Sequence, residues 1–113
     1  MNQSLAVPEA RIEPLQRILE MIGAANNCIL TTHVNADGDG AGSEAAVASW
    51  VAANGKDVRI VNPTAFPHAF RFLIDDETMI ADAGTAEAER AIAAADLLIV
   101  LDTAEITRIG RVA

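Results

Sequence analysis

The sequence predicts a single α/β domain built as three layers, α/β/α, around a mainly parallel sheet. Three observations carry this. Segments with helical spacing of apolar residues alternate with short β-prone runs along the chain. The run Leu97-Leu98-Ile99-Val100-Leu101 is apolar at every position, the pattern of a strand covered by helices on both faces. A length of 113 residues leaves room for one domain only.

The elements come in order along the chain. Residues 1–8 read as a frayed start. From Glu9 to about Ala25, the residues Ile12, Leu15, Ile18, Leu19 and Ile22 recur at spacings of three and four and give one apolar helical face. Pro14 fits that helix if it lies in the first turn, where a missing N–H costs nothing. Cys28 to Thr32 is short, apolar and β-prone, a buried strand. The Gly-rich turn Asp37-Gly38-Asp39-Gly40-Ala41-Gly42 leads into an Ala-rich helix from about Gly40 to Ala53, with Val47, Trp50 and Val51 on its heavier face and Trp50 packed on the sheet. Asn54-Gly55 stops it, because glycine takes the left-handed conformation cheaply.

Asp57 to Val61 is a second strand, alternating enough to sit near an edge. Next come a loop with two prolines and a short helix from His68 to Leu73. Asp75, Asp76 and Glu77 form a solvated acidic turn, and Thr78 to Ile80 a minor strand. Thr85 caps a helix that runs to Ala95. The apolar strand ends at Asp102, and Glu105 to Ile109 begins another helical turn.

Composition removes several function classes. Hydrophobic residues make up 51% and charged residues 21%, which is globular rather than disordered. With 8 basic and 16 acidic residues the net charge is −8, so a long phosphate backbone is repelled and duplex nucleic acid is not an expected partner. Tyr is absent and Trp50 stands alone, which argues against stacking platforms for single strands. The lone Cys28 excludes an intramolecular disulfide and a Cys-rich zinc site, and reads as a small buried hydrophobe. No basic start leads into an apolar run, and no apolar stretch approaches the roughly 20 residues that span a bilayer. The expectation is a soluble, cytoplasmic protein.

In an open parallel sheet, ligands bind outside the carboxyl ends of the strands. The first strand runs into His33, Asn35, Asp37 and Asp39; the long apolar strand runs into Asp102. An imidazole and three carboxylates on one rim would repel and raise one another's pKa values unless a divalent cation lay between them. Mixed nitrogen and oxygen donors suit manganese, iron or zinc. Taken singly, the histidine is explained by a hydrogen bond and each aspartate by a helix cap; together, in the spacing His-x-x-x-Asp-x-Asp after a buried strand, they read as a metal site. Asn35 reads equally as a turn former or as a residue that hydrogen-bonds a metal ligand or a substrate phosphate. The same stretch admits two rivals. Gly40-Ala41-Gly42-Ser43-Glu44-Ala45 fits a dinucleotide fingerprint, but Asp37 and Asp39 would flank the pyrophosphate and the acidic ribose contact is missing. A calcium loop begun at Asp37 fails at Ala41 and Ala48.

The run Thr32-His33-Val34-Asn35-Ala36-Asp37-Gly38-Asp39-Gly40-Ala41-Gly42-Ser43 resembles the first signature of the DHH phosphoesterases, in the branch of oligoribonucleases and phosphoadenosine-phosphate phosphatases. Val100-Leu101-Asp102-Thr103-Ala104 resembles the second signature. Arg108-Ile109-Gly110 is similar to the family's stretch just after that signature, and Phe70-Arg71-Phe72-Leu73 resembles the linking region. The resemblance runs from about Ile12 to the end. It implies a phosphoesterase of short oligoribonucleotides or 3′,5′-bisphosphonucleosides, using water activated by two cations, usually Mn2+, with Mg2+ or another divalent ion as a substitute. His33 and Asp37 would hold one ion, Asp39 the other, and Asp102 would bridge, which makes Asp37, Asp39 and Asp102 the catalytic set. The family's Asp-His-His signature, its later acidic ligand and its C-terminal domain have no counterpart in residues 1–113. The expectation is therefore the N-terminal part of such a catalytic domain, weakly active or inactive alone, with a homodimer left open as an assembly. Two readings compete: a nucleotide-binding module using the Gly-rich loop, and a catalytically dead regulatory or scaffold fragment.

Overall fold

The computed structural model describes residues 6–113; residues 1–5, part of the expected frayed start, lie outside the described residues. Three helices, α1 (Glu9–Ala24), α2 (Gly38–Ala53) and α3 (Ala86–Ala94), alternate with three strands, β1 (Asn27–Thr31), β2 (Asp57–Ile60) and β3 (Leu97–Val100). The strands form one parallel sheet in the order β2-β1-β3. Cys28 stands opposite Val58 on one side and Leu97 on the other. This is an open α/β arrangement.

Strand alternation sorts the core into two layers. Cys28, Leu30, Val58 and Ile60 face α2, whose Ala41, Ala45, Ala48 and Val51 pack on them together with Ile22, Phe66 and Ile74. Ile29 faces the other way and packs with Val61, Ala81, Val112 and Ala88 of α3. The small residues of α2 let its backbone lie close to the sheet. That is why Trp50, expected on the sheet side, is instead exposed. Of the three heavier residues, Val51 is fully buried and Val47 is half-buried against the core, so only Trp50 departs from the expected face; the buried stripe is Gly40, Ala41, Glu44, Ala45, Ala48 and Val51.

Four further expectations are corrected. β3 is not buried on both faces: Leu98 is 45% exposed and Val100 37%, because no described helix packs closely over that face of β3 as α2 does over β1 and β2. Of the apolar face of α1, only Ile22 is buried. Pro14 lies in the sixth position of α1 rather than in its first turn, since the helix already begins at Glu9; the helix is exposed there, so water can satisfy the carbonyl that Pro14 leaves free. Thr78 to Ile80 is no strand. Glu77–Met79 forms a 3-10 turn capped by Asp76, and Ile80 makes one parallel bridge to Ile60. Two other 3-10 segments, His68–Leu73 and Ile106–Val112, complete the described elements. No described helix is long and apolar enough to cross a membrane.

Candidate metal centre

Parallel register builds the rim. Thr31 pairs with Val100, so the residues two further on, His33 and Asp102, emerge side by side where the strands end. Two bonds carry the pairing past the strand ends: Leu101 N donates to Thr31 O at 2.9 Å, and Thr32 Oγ1 donates to Leu101 O at 2.8 Å. Val34 N donates to Arg108 O at 2.8 Å, which holds the segment after β3 against the loop after β1.

The non-glycine residues with positive φ among those described are Asn35 (54°) and Asp102 (60°), and both belong to this rim. Asn and Asp tolerate that region better than other side chains, yet it still carries strain. Asp102 thereby turns the chain just as its carboxylate reaches His33. Asn35 N donates to Thr64 Oγ1 at 2.8 Å, which secures the loop to the segment following β2.

His33 is nearly buried. Its Nδ1 lies 2.9 Å from the carbonyl of Val34, which can only accept, so Nδ1 carries a proton. Nε2 is then the atom that faces the acids, 3.1 Å from Asp102 Oδ2 and 3.9 Å from Asp37 Oδ1. The Val34 bond is the main influence lifting the imidazole above its ordinary pKa; Asp102 and Asp37 add to it, while burial and the charge of Arg108 oppose it. Asp37 is also the N-cap of α2, accepting from Gly40 N at 3.0 Å. That bond, helped by His33, holds its carboxyl below the usual range. Cap and cluster member are thus one residue. Asp37 also occupies an N–H that a pyrophosphate on the Gly-rich loop would need.

One donor atom from each of His33, Asp37 and Asp102 lies within 4.8 Å of the other two. A nitrogen with its lone pair fixed by the Nδ1 bond, plus two carboxylates, is a donor set that fits a borderline or hard divalent cation. Asp39 is not brought into this group: it sits exposed in the first turn of α2. Asn35 lies on the same loop with its backbone engaged. His68 is exposed at the start of its 3-10 segment.

Two residues at this end of the sheet escaped sequence reasoning as a pair. Glu44 of α2 is 0% exposed and accepts from Asn62 Nδ2 at 2.9 Å, with Asn62 3% exposed just past β2. Burial pushes the Glu44 carboxyl up to about 7, against the opposing influence of Asn62 and His33. The available signal was an acid one helical turn after Gly40, on the face that Gly40 and Ala41 mark as close-packed.

No family model matches the chain, and no curated protein matches it either. Among solved structures it is similar to a crystal structure of an exopolyphosphatase-related protein from Bacteroides fragilis, at 23% identity and a TM-score of 0.75. The similarity covers 93% of this chain and 30% of that one, so the chain spans less than a third of the neighbour's length. At this identity the likeness establishes the α/β fold.

Proposed function

We propose that this chain is the first part of a metal-dependent phosphoesterase site acting on short nucleotides, oligoribonucleotides or 3′,5′-bisphosphonucleosides. The observation that carries the reading is the meeting of His33 Nε2 with the carboxylates of Asp37 and Asp102 where two parallel strands end. The fold-level likeness to an exopolyphosphatase-related protein and the resemblance of the two signatures to DHH phosphoesterases support it.

In this reading His33, Asp37 and Asp102 hold one divalent cation, with Mn2+ the expected ion and Mg2+ a substitute. Such an ion, when bound, supplies positive charge opposite the non-bridging phosphate oxygens and makes water a stronger acid. The protein's own part is orientation. The Val34 carbonyl keeps the His33 proton on Nδ1 and leaves Nε2 to the ligand. Gly40 N–H fixes the Asp37 carboxylate, and the turned backbone of Asp102 fixes the third donor. Asp39 and Asp102 are assigned to a second ion on the resemblance, and Asn35 to the substrate side of the loop.

The test is phosphate release from a 3′,5′-bisphosphonucleoside, a short oligoribonucleotide and inorganic polyphosphate, with and without Mn2+. The expected result is slow release from the first two, present only with Mn2+ and lost in Asp37→Asn. Equal release by Asp37→Asn, or release indifferent to Mn2+, contradicts the proposal.

A further inference from the structure

The buried pair behind the rim has a hydrogen-bond count that does not close. Asn62 Nδ2 donates to Glu44 Oε1 at 2.9 Å, but Glu44 Oε2 and Asn62 Oδ1 are both buried with no partner among the described residues. Both are acceptors when Glu44 is ionised, and a buried acceptor without a donor costs about 1–3 kcal/mol, more if it is charged. One proton resolves both. On Glu44 Oε2 it turns one acceptor into a donor, and Asn62 Oδ1 is the acceptor that lacks one. In a coplanar acid–amide pair, the first bond brings the remaining two atoms opposite each other.

We propose that Glu44 and Asn62 form a reciprocal acid–amide pair, Glu44 donating its carboxyl proton to Asn62 Oδ1 while accepting from Asn62 Nδ2, and that this pair positions Asp37 against His33 and Asp102. Gly40 and Glu44 are four residues apart and share one face of α2. Gly40 lies so close to β1 that a Cβ there would stand 2.9 Å from Thr32 Oγ1. Glu44, a turn further, is bonded to Asn62, two residues past the end of β2. These two adjacent contacts seat the front of α2 on the carboxyl rim. The N-cap of that helix is Asp37. How α2 sits therefore sets how far the Asp37 carboxylate stands from His33. Burial favours the neutral acid; His33, the charged group that acts on Glu44 from the end of β1, favours the carboxylate, and burial outweighs it.

Glu44 and Asn62 are positioning residues, and that part rests on the proposed cation site. The pair itself is tested without metal. At about pH 6, a difference infrared spectrum of the wild type minus Glu44→Gln is expected to show a protonated-carboxyl C=O stretch. Its absence, with Glu44 ionised and a water bridging the orphan atoms, overturns the pair. Glu44→Gln restores both bonds with an amide, so its His33 ring-nitrogen shifts are expected to match the wild type, whereas Asn62→Leu displaces them and weakens Mn2+ binding about tenfold or more. Asn62→Ser serves if Asn62→Leu does not fold. A lower melting temperature with unchanged His33 signals makes the pair merely structural and overturns the positioning role. A wild-type chain that shows the acid band but binds no Mn2+ contradicts the cation site instead, and leaves the pair standing.

Discussion

The two sides of the sheet differ in what covers them. Where β1 and β2 lie under α2, every core position is filled: Leu30 and Ile60 are fully buried, and even a glutamate is sealed in. Around β3 and α1 the chain is at least as apolar, yet Leu98, Val100, Ile18 and Met21 remain exposed. Apolarity is a property of the residue, while burial needs a second layer to press against it. β2 has Ile80 bridged at its outer side, whereas among the described residues β3 has nothing paired beyond it. The covered side also brings Gly40 close to Thr32, and Glu44 into a bond with Asn62, behind its end of the rim.

The sharpest way to break this contrast is to truncate one leucine on each side. Leu30→Ala should cost about 2–5 kcal/mol of unfolding free energy in denaturant melts, through lost transfer and a cavity. Leu98→Ala, half in water already, should cost under about 1 kcal/mol. Equal losses would mean that the β3 side is covered in solution, by a second copy for example, and a concentration-dependent melting temperature would reveal it.

Next in size comes pH. Glu44 is raised in the folded state from 4.5 to about 7, so the native state binds the extra proton. Its contribution is complete below the unfolded value and is lost as pH rises through the folded one. The wild type should therefore lose roughly 3 kcal/mol relative to Glu44→Gln between acid and neutral pH. Parallel stability curves for the two proteins would contradict the buried acid.

A smaller effect is expected from Gly40→Ala. Thr32 is fully buried and bonded to Leu101 O, so it cannot yield freely to a Cβ at 2.9 Å. Overpacking of this kind costs about 1–3 kcal/mol, and it should also lift Asp37 from His33. The stability loss is read by melting, and the shift by the His33 ring signals.

Much of this was legible in the sequence, for definite reasons. The continuous run ending in Asp102 and the β-prone run ending in Thr32-His33 announced strands whose ends share one rim; that β1 and β3 are neighbours, with His33 beside Asp102, is set by the pairing and register of the folded sheet. Thr85 was legible as a cap because a threonine just before a helical run suits that position, and its Oγ1 accepts from Ala88 N. The exposure of β3 was not legible, since an all-apolar run looks the same whether one neighbour or two cover it. Trp50 misled because the buried stripe of α2, mostly small residues with Val51, leaves it on the exposed side. The Glu44–Asn62 pair was hidden because the two residues lie 18 apart and meet only once the helix and strand are packed. Asp39 matched a pattern, but the first turn of α2 leaves it exposed and outside the cluster.

The central claim is that His33, Asp37 and Asp102 share one cation, and calorimetric titration of Mn2+ into the wild type and Asp102→Asn tests it most directly. One ion should bind the wild type, with affinity falling as pH drops because protons compete for the raised His33, and Asp102→Asn should bind at least about tenfold more weakly. Equal affinity in the two proteins, at any pH, would contradict the claim.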